Sequence, residues 1–254
     1  MLIDTHAHLQ LVHFDADRDE MIQRAFDAGV EKIIVVSTDV ASSRQSIELA
    51  EKFSGLYAAV GIHPIDCAAA SENDFAMIAE LARHPKVVAI GEIGMDFYWK
   101  PFSQEIQQRT FVRQLHLASE LHKPVIIHNR EAGVAILQIL RDAGIHSLSG
   151  VFHCFSENLD YAQQVLALGC HISFTGNLTY KKSLLPEVAA QTPLEKIMLE
   201  TDAPFMTPAP HRGKRNEPSY VVHIAEKLAE IKKLSVAEVA RQTTANAKKL
   251  FGLS

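Results

Sequence analysis

A barrel of eight strand–helix units is the fold class this sequence predicts, and three observations predict it. Short apolar runs alternate with amphipathic stretches from end to end, about eight times. Parallel strands require such crossover connections. The chain is 254 residues long, close to the about 250 typical of an α/β barrel. Residues able to do chemistry fall at the C-terminal ends of the runs, the face where such barrels build their sites. Together these favour a single-domain TIM-type (β/α)8 barrel over residues 1–254, with a doubly wound open sheet as the competing architecture.

The expected strands, in order, are Leu2–Ile3, Lys32–Ser37, Leu56–Gly61, Val87–Gly91, Pro124–His128, Gly150–His153, Cys170–Phe174 and Ile197–Glu200. Several are β-branched and nearly continuous in apolar character, as strands buried on both faces should be. Between them lie the expected helices. Asp17–Ala28 stops at Gly29, Glu131–Ala143 at Gly144 and Leu159–Leu168 at Gly169, glycine being a common helix terminator. Ser42–Lys52 opens on serines suited to capping, and Gln104–His122 is the longest. Two more helices are expected near Ser219–Ile231 and Ser235–Phe251. Long segments after the third, fourth and eighth runs, Ile62–Asn73, Ile93–Ser103 and Thr201–Pro218, are where function is expected to concentrate.

Composition narrows the classes. Apolar residues make up 47% and charged residues 22%, an ordinary globular balance. A formal net charge of −5 argues against sequence-blind coating of duplex nucleic acid, though not against a local basic pocket. No apolar stretch reaches membrane-spanning length and no signal-peptide pattern opens the chain. Cys67, Cys154 and Cys170 are sparse, odd in number and widely spaced, which fits a reducing compartment. The cytoplasm is the expected location, and no obligate protein partner is evident.

The opening Met-Leu-Ile-Asp-Thr-His-Ala-His carries the first chemical signal. Side chains at i and i+2 of a strand share a face, so His6 and His8 bring two imidazoles together. Glu92, His128, His153 and Asp202 stand at the ends of later runs. Imidazole and carboxylate together suit zinc, manganese and similar ions, and carboxylate-rich sites also take magnesium. One or two divalent ions are therefore expected. His6, His8 and Asp202 form one ligand group, His128 and His153 a second, and Glu92 bridges them, since strand 4 lies between strand 1 and strands 5 and 6. His13, His84, His116, His122, His146, His171 and His223 read as structural or solvated. Cys154, next to His153, is expected to point away from the site by strand alternation.

His6-Ala7-His8, Gly61-Ile62-His63-Pro64, Gly91-Glu92-Ile93-Gly94-Met95-Asp96, Pro124-Val125-Ile126-Ile127-His128 with Arg130, Phe152-His153-Cys154-Phe155-Ser156 and Leu199-Glu200-Thr201-Asp202-Ala203-Pro204 run in order along the chain. In these motifs it resembles the TatD family of metal-dependent deoxyribonucleases, of the amidohydrolase-type barrels. The resemblance spans nearly the whole length. It implies a TIM-type barrel with a divalent-metal site that hydrolyses nucleic-acid phosphodiesters, often as a 3′ exonuclease on single strands. Met95 and Phe97 stand where Leu and Tyr are usual, and neither change removes a ligand.

A phosphodiester is an anion, so its hydrolase needs positive charge beside the ions. Arg130 lies two residues beyond His128, and Arg212 lies in a basic loop, Pro210-His211-Arg212-Gly213-Lys214-Arg215. Arginine grips phosphate bidentately. His63 suits a phosphate oxygen or a leaving group, and Phe97, Tyr98 and Trp99 are candidates to stack unpaired bases or to form a lid or loop core. Asp202 is the expected base as well as a ligand. The predicted activity is divalent-metal hydrolysis of DNA or oligonucleotides. The alternatives are hydrolysis of another small ester, amide or lactone on the same scaffold, and a metal-stabilised binding protein. Related barrels often bridge two ions with a carboxylated lysine from strand 4; Glu92 in that place tilts towards phosphoesters.

Overall fold

The computed structural model describes residues 1–99 and 103–253. Part of the long segment expected after the fourth run, residues 100–102, lies outside the described residues. Eight strands form one parallel sheet in sequential order. They are β1 (Leu2–Ala7), β2 (Val30–Val36), β3 (Leu56–Val60), β4 (Val87–Asp96), β5 (Val125–Arg130), β6 (Gly150–Phe152), β7 (His171–Phe174) and β8 (Ile197–Leu199). The sheet closes between β1 and β8 through a parallel bridge from Ala7 to Ala203, with His8 N–H donating to the Ala203 carbonyl and Asp202 N–H to the His6 carbonyl, both at 2.8 Å. The expected barrel is the observed fold.

The helices are α1 (Arg18–Asp27), α2 (Val40–Lys52), α3 (Glu72–Leu81), α4 (Gln104–Glu120), α5 (Gly133–Asp142), α6 (Leu159–Ala167), α7 (Leu185–Gln191), α8 (Val221–Lys232) and α9 (Val236–Phe251). Asp39, Ser71 and Ser235 cap α2, α3 and α9 with reciprocal boxes, each satisfying amides that a helix start leaves unpaired. Two helices are not among those the sequence predicts. The α3 helix starts at Glu72, at the end of the long segment Ile62–Asn73, and runs on to Leu81, and α7 is a seven-residue helix with proline in its first turn. Among the described residues no helix is long and apolar enough to cross a membrane.

One apolar cluster joins Ile3, Ile34, Val36, Ala59, Ala89, Ile126, Val151 and Met198, drawn from seven strands. Side chains from opposite sides of a ring can meet only in its lumen. Phe251 and Leu253 join them, so α9 and the residues after it plug one end. A larger cluster lies between the strands and the helix layer. The lumen turns polar towards the strand C-termini, where Thr5 and Glu200 are buried and Ser173 donates to Glu200 at 2.7 Å.

Three strands outrun their expected ends, β5 by two residues to Arg130. The β1 strand continues through His6, with a register shift between Asp4 and Ala7. The β4 strand continues to Asp96, so Glu92 sits within the strand rather than at its end, at a register irregularity between Ile90 and Ile93. Gly94 makes this pairing possible. Its φ is +144°, and a Cβ there would lie 2.1 Å from the His128 carbonyl oxygen. Gly144, after α5, also has positive φ (+69°) but nothing within 4 Å of a built Cβ.

Gly94→Ala is therefore expected to cost about 3 kcal/mol or more, whereas Gly144→Ala costs about 1 kcal/mol. Urea midpoints at unchanged slope measure both. Equal losses would show that close packing against β5 is not what requires glycine at position 94.

Candidate metal centre

The ring's top brings the six expected ligands together. Glu92 is at their middle, buried to 3% exposure. Its Oε2 lies 3.3 Å from His6 Nε2 and 3.6 Å from His8 Nε2. Its Oε1 lies 2.7 Å from His128 Nδ1, 2.8 Å from His153 Nε2 and 3.4 Å from His63 Nε2. The two carboxylate oxygens thus face two different groups of nitrogens.

On the Oε2 side, His6 and His8 Nε2 are 3.2 Å apart, and Asp202 Oδ1 is 3.8 Å from the first and 3.4 Å from the second. Donor atoms about 2.1 Å from a tetrahedral ion stand about 3.4 Å from one another. The measured separations, 3.2 to 3.8 Å, fit a divalent cation. On the Oε1 side, His128 Nδ1 and His153 Nε2 are 3.5 Å apart. Compact His/carboxylate groupings occur here as His6–His8–Glu92, His6–His153–Asp202 and His63–Glu92–His128. His63, expected only as a substrate contact, therefore stands inside the second group. Its Nδ1 accepts the Ile65 N–H at 3.2 Å, so Nε2 carries the proton. A protonated Nε2 is a donor, not a ligand.

Electrostatics follow the same division. Burial pushes the Glu92 pKa up, but His153, then His63 and His6, and the hydrogen bond from His128 outweigh it and hold the carboxyl well below its usual range. Asp202 is likewise held down against burial, first by its hydrogen bond with His8. Burial, then the neighbouring His128, lowers His63 to about 4. His153 is driven the other way: burial lowers it, but Glu92 and Glu200 raise it well above the ordinary imidazole value. The array therefore carries both carboxylates ionised and a neutral His63.

Outer contacts orient the rings. His8 Nδ1 donates to the Val36 carbonyl at 2.9 Å, which leaves the Nε2 lone pair for an ion. His6 stacks on His153 at 4.0 Å between centroids, and its Nδ1 is buried without a partner. Asp4 bonds the His6 amide and both donors of Thr201, tying β1 to the residue before Asp202. Burial, partly offset by those Thr201 bonds, raises its carboxyl to about 8. Asp4, Asp96 and Glu200 were not singled out in the sequence. Each is a carboxylate within four residues of a ligand, a signal that was legible but unspecific.

Cys154 departs from expectation. The β6 strand ends at Phe152 and Cys154 has φ +44°, so strand alternation does not govern where it points. Its Sγ lies 3.6 Å from Thr175 Oγ1. Its backbone N–H donates to Glu200 Oε1, and burial, then the charges of Asp202 and Glu200, push its thiol well up.

The rim holds the remaining candidates. Arg130, the last residue of β5, lies 3.8 Å over the Tyr98 ring and 5.7 Å from that of Trp99. Arg212 lies 3.6 Å over Tyr180. Arg215, from the same basic loop, is instead bonded to Asp17 at 2.7 and 2.8 Å. Tyr98, Trp99 and Phe205 are about half exposed, and Phe97 packs on the core. The Phe205 ring stands 6.2 Å from that of His8.

The sequence matches the family described as TatD related DNase over residues 3–252. The uncharacterized metal-dependent hydrolase YabD of Bacillus subtilis (strain 168) is 43% identical, with all of both chains covered. The 3'-5' ssDNA/RNA exonuclease TatD of Shigella flexneri serotype 5b is 36% identical, again over all of both chains. The crystal structure of YJJV, a TatD homologue from Escherichia coli k12, superposes with a TM-score of 0.94 at 34% identity, covering 100% of this chain and 98% of that one.

His8→Ala and His153→Ala each delete one donor of the array. Both should fold, because the apolar lumen lies below the centre. Both should hold metal more weakly, by more than the about 10–100-fold that losing an outer-shell partner costs. Elemental analysis after dialysis, with circular dichroism as the fold control, measures this; unchanged metal in both variants removes them from the ligand set.

Proposed function

The chain belongs to the TatD-related DNase family, and from that premise we propose that it hydrolyses phosphodiesters of single-stranded DNA or oligonucleotides, from the 3′ end, using one or two divalent ions. The observation that carries this is Glu92, whose two oxygens face two donor groups within 3.6 Å. Magnesium, zinc and manganese all suit such a mixed set. His6, His8 and Asp202 would hold one ion, His128 and His153 the other, with Glu92 shared. Bound there, divalent ions stabilise charge on phosphate and lower the pKa of water.

The chain's own residues do the rest. Asp202, ionised and beside His8, accepts the proton of the attacking water. His63 Nε2–H, its tautomer set by the Ile65 amide, donates a hydrogen bond to a phosphate oxygen. Arg130 and Arg212 supply the positive charge that the chain's overall −5 does not. Tyr98, Trp99 and Phe205 offer exposed rings to unpaired bases, each stack contributing about 1–3 kcal/mol. Duplex DNA hides its base faces, so these rings favour single strands.

End-labelled single- and double-stranded oligonucleotides, incubated across a panel of divalent metals and with EDTA, test this reading. Shortening of single strands that EDTA abolishes is expected. Turnover of an amide or lactone reporter with inert oligonucleotides would replace it with the other hydrolase class.

Asp202→Asn keeps the size and one oxygen but cannot take a proton near neutral pH. At full metal loading it should lose turnover by about 100-fold or more while still binding an oligonucleotide. Near-normal turnover would move the base elsewhere.

Arg212→Ala should behave differently, weakening both affinity and rate. The deficit should shrink as salt rises, because screening weakens the lost phosphate contact in the parent too. Parallel affinity and rate measurements at low and high salt check it; a salt-independent defect would assign Arg212 to structure.

A further inference from the structure

We propose that Asp96 is the positioning residue that decides which nitrogen of His128 is free to hold an ion, an inference that rests on the metal reading above. Asp96 closes β4 and is 2% exposed. Its backbone is pinned from behind: Asp96 N–H donates to Gln107 Oε1 at 2.8 Å, and Gln107 Nε2 donates to the Asp96 carbonyl at 2.9 Å. Its side chain does two jobs. Oδ1 accepts the backbone N–H of Tyr98 at 3.0 Å and of Trp99 at 3.1 Å. Oδ2 faces His128 Nε2 at 2.9 Å.

These contacts divide the two nitrogens. An ionised carboxylate only accepts, so with no ion bound His128 donates to both, Nε2 to Asp96 at 2.9 Å and Nδ1 to Glu92 Oε1 at 2.7 Å. Nδ1 also stands 3.5 Å from His153 Nε2, so an ion on the Oε1 side would take the place of the Nδ1 proton. Asp96 keeps the other proton on Nε2 and so leaves Nδ1, not Nε2, to that ion. His8 reaches the opposite assignment by the same logic, its Nδ1 donating to Val36 and its Nε2 left free. The same carboxylate also carries the backbone of the two exposed rim aromatics, so base platform and second ion position share one anchor.

Asparagine at position 96 separates the two jobs. The Tyr98 and Trp99 amides can only donate, so they keep the single amide oxygen. The amide NH2 then turns to His128. It needs a lone pair on Nε2, which leaves the proton on Nδ1, against Glu92. The loop survives and the ion loses its nitrogen.

The test uses 15N-labelled full-length protein, wild type and Asp96→Asn, metal-free and with zinc. Imidazole 15N resonances report where the His128 proton sits, and competition with a chelator reports the affinity of each zinc. Emission from Trp99, the only tryptophan of the chain, reports the loop. Wild type should show a protonated Nε2, and the variant a bare Nε2 with an unchanged loop. Affinity for one zinc should fall by about 10–100-fold in the variant, while the zinc on His6, His8 and Asp202 is unaffected. A bare Nε2 in wild type overturns the inference without any variant. Two zincs held equally by both proteins overturn it as well, leaving the metal reading intact. A wild type that binds no zinc or other divalent ion overturns the metal reading itself, and this inference with it.

Discussion

Everything at the top of this barrel is arranged around one buried carboxylate. A lone ionised carboxylate taken out of water costs several kcal/mol even after relaxation. Glu92 accepts that position because five imidazole nitrogens, from His6, His8, His63, His128 and His153, lie within 3.6 Å of its oxygens. No local segment can assemble such a group. It takes β1, β4, β5 and the segments that follow β1, β3 and β6, held at fixed stagger by a closed sheet. A cation between these nitrogens and the two carboxylates would satisfy both kinds of donor at once.

The closing seam and the candidate centre are the same piece of structure. The hydrogen bonds that join β1 to the segment after β8 run from Asp202 to His6 and from His8 to Ala203. Asp4 braces this seam through Thr201. Closing the barrel therefore sets the geometry of the candidate ligands, and the lower lumen supplies the stability: Ile3, Ile34, Ala89, Ile126 and Met198 cluster with Phe251. The lumen passes from apolar to hydroxyl to carboxylate to imidazole along its axis. Core and chemistry are segregated by depth, so a ligand can be exchanged without opening the core.

Outer partners convert convergence into specific donors. Val36 acts on His8, Ile65 on His63 and Asp96 on His128. Each sets a proton on one nitrogen and so decides what the other can do. His63 becomes a hydrogen-bond donor although it stands among the ligands. The rim adds arginines laid over aromatic rings, Arg130 on Tyr98 and Arg212 on Tyr180. Under the proposed function each pair would offer charge to a phosphate beside a flat surface for a base.

The linear sequence by itself determined the barrel, because strand–helix alternation and continuous apolar runs are local patterns that survive into the fold. It also determined the residue types of the centre, since His6, His8, Glu92, His128, His153 and Asp202 all lie at or near the ends of apolar runs in the sequence. The helices α3 and α7 escaped it, one in the stretch between the long segment Ile62–Asn73 and β4, the other too short to show periodicity. Tertiary structure alone decided the rest. Strand continuation past Gly91 to Asp96 depends on β5 pairing, which no single run encodes. Where Cys154 points depends on a turn with positive φ, not on strand alternation. The roles of Asp4, Asp96 and Glu200, and the nitrogen each histidine offers, depend on partners up to 197 residues away in the chain. Periodicity records which way a side chain leaves its own backbone; only the stagger of a closed sheet decides what it meets there.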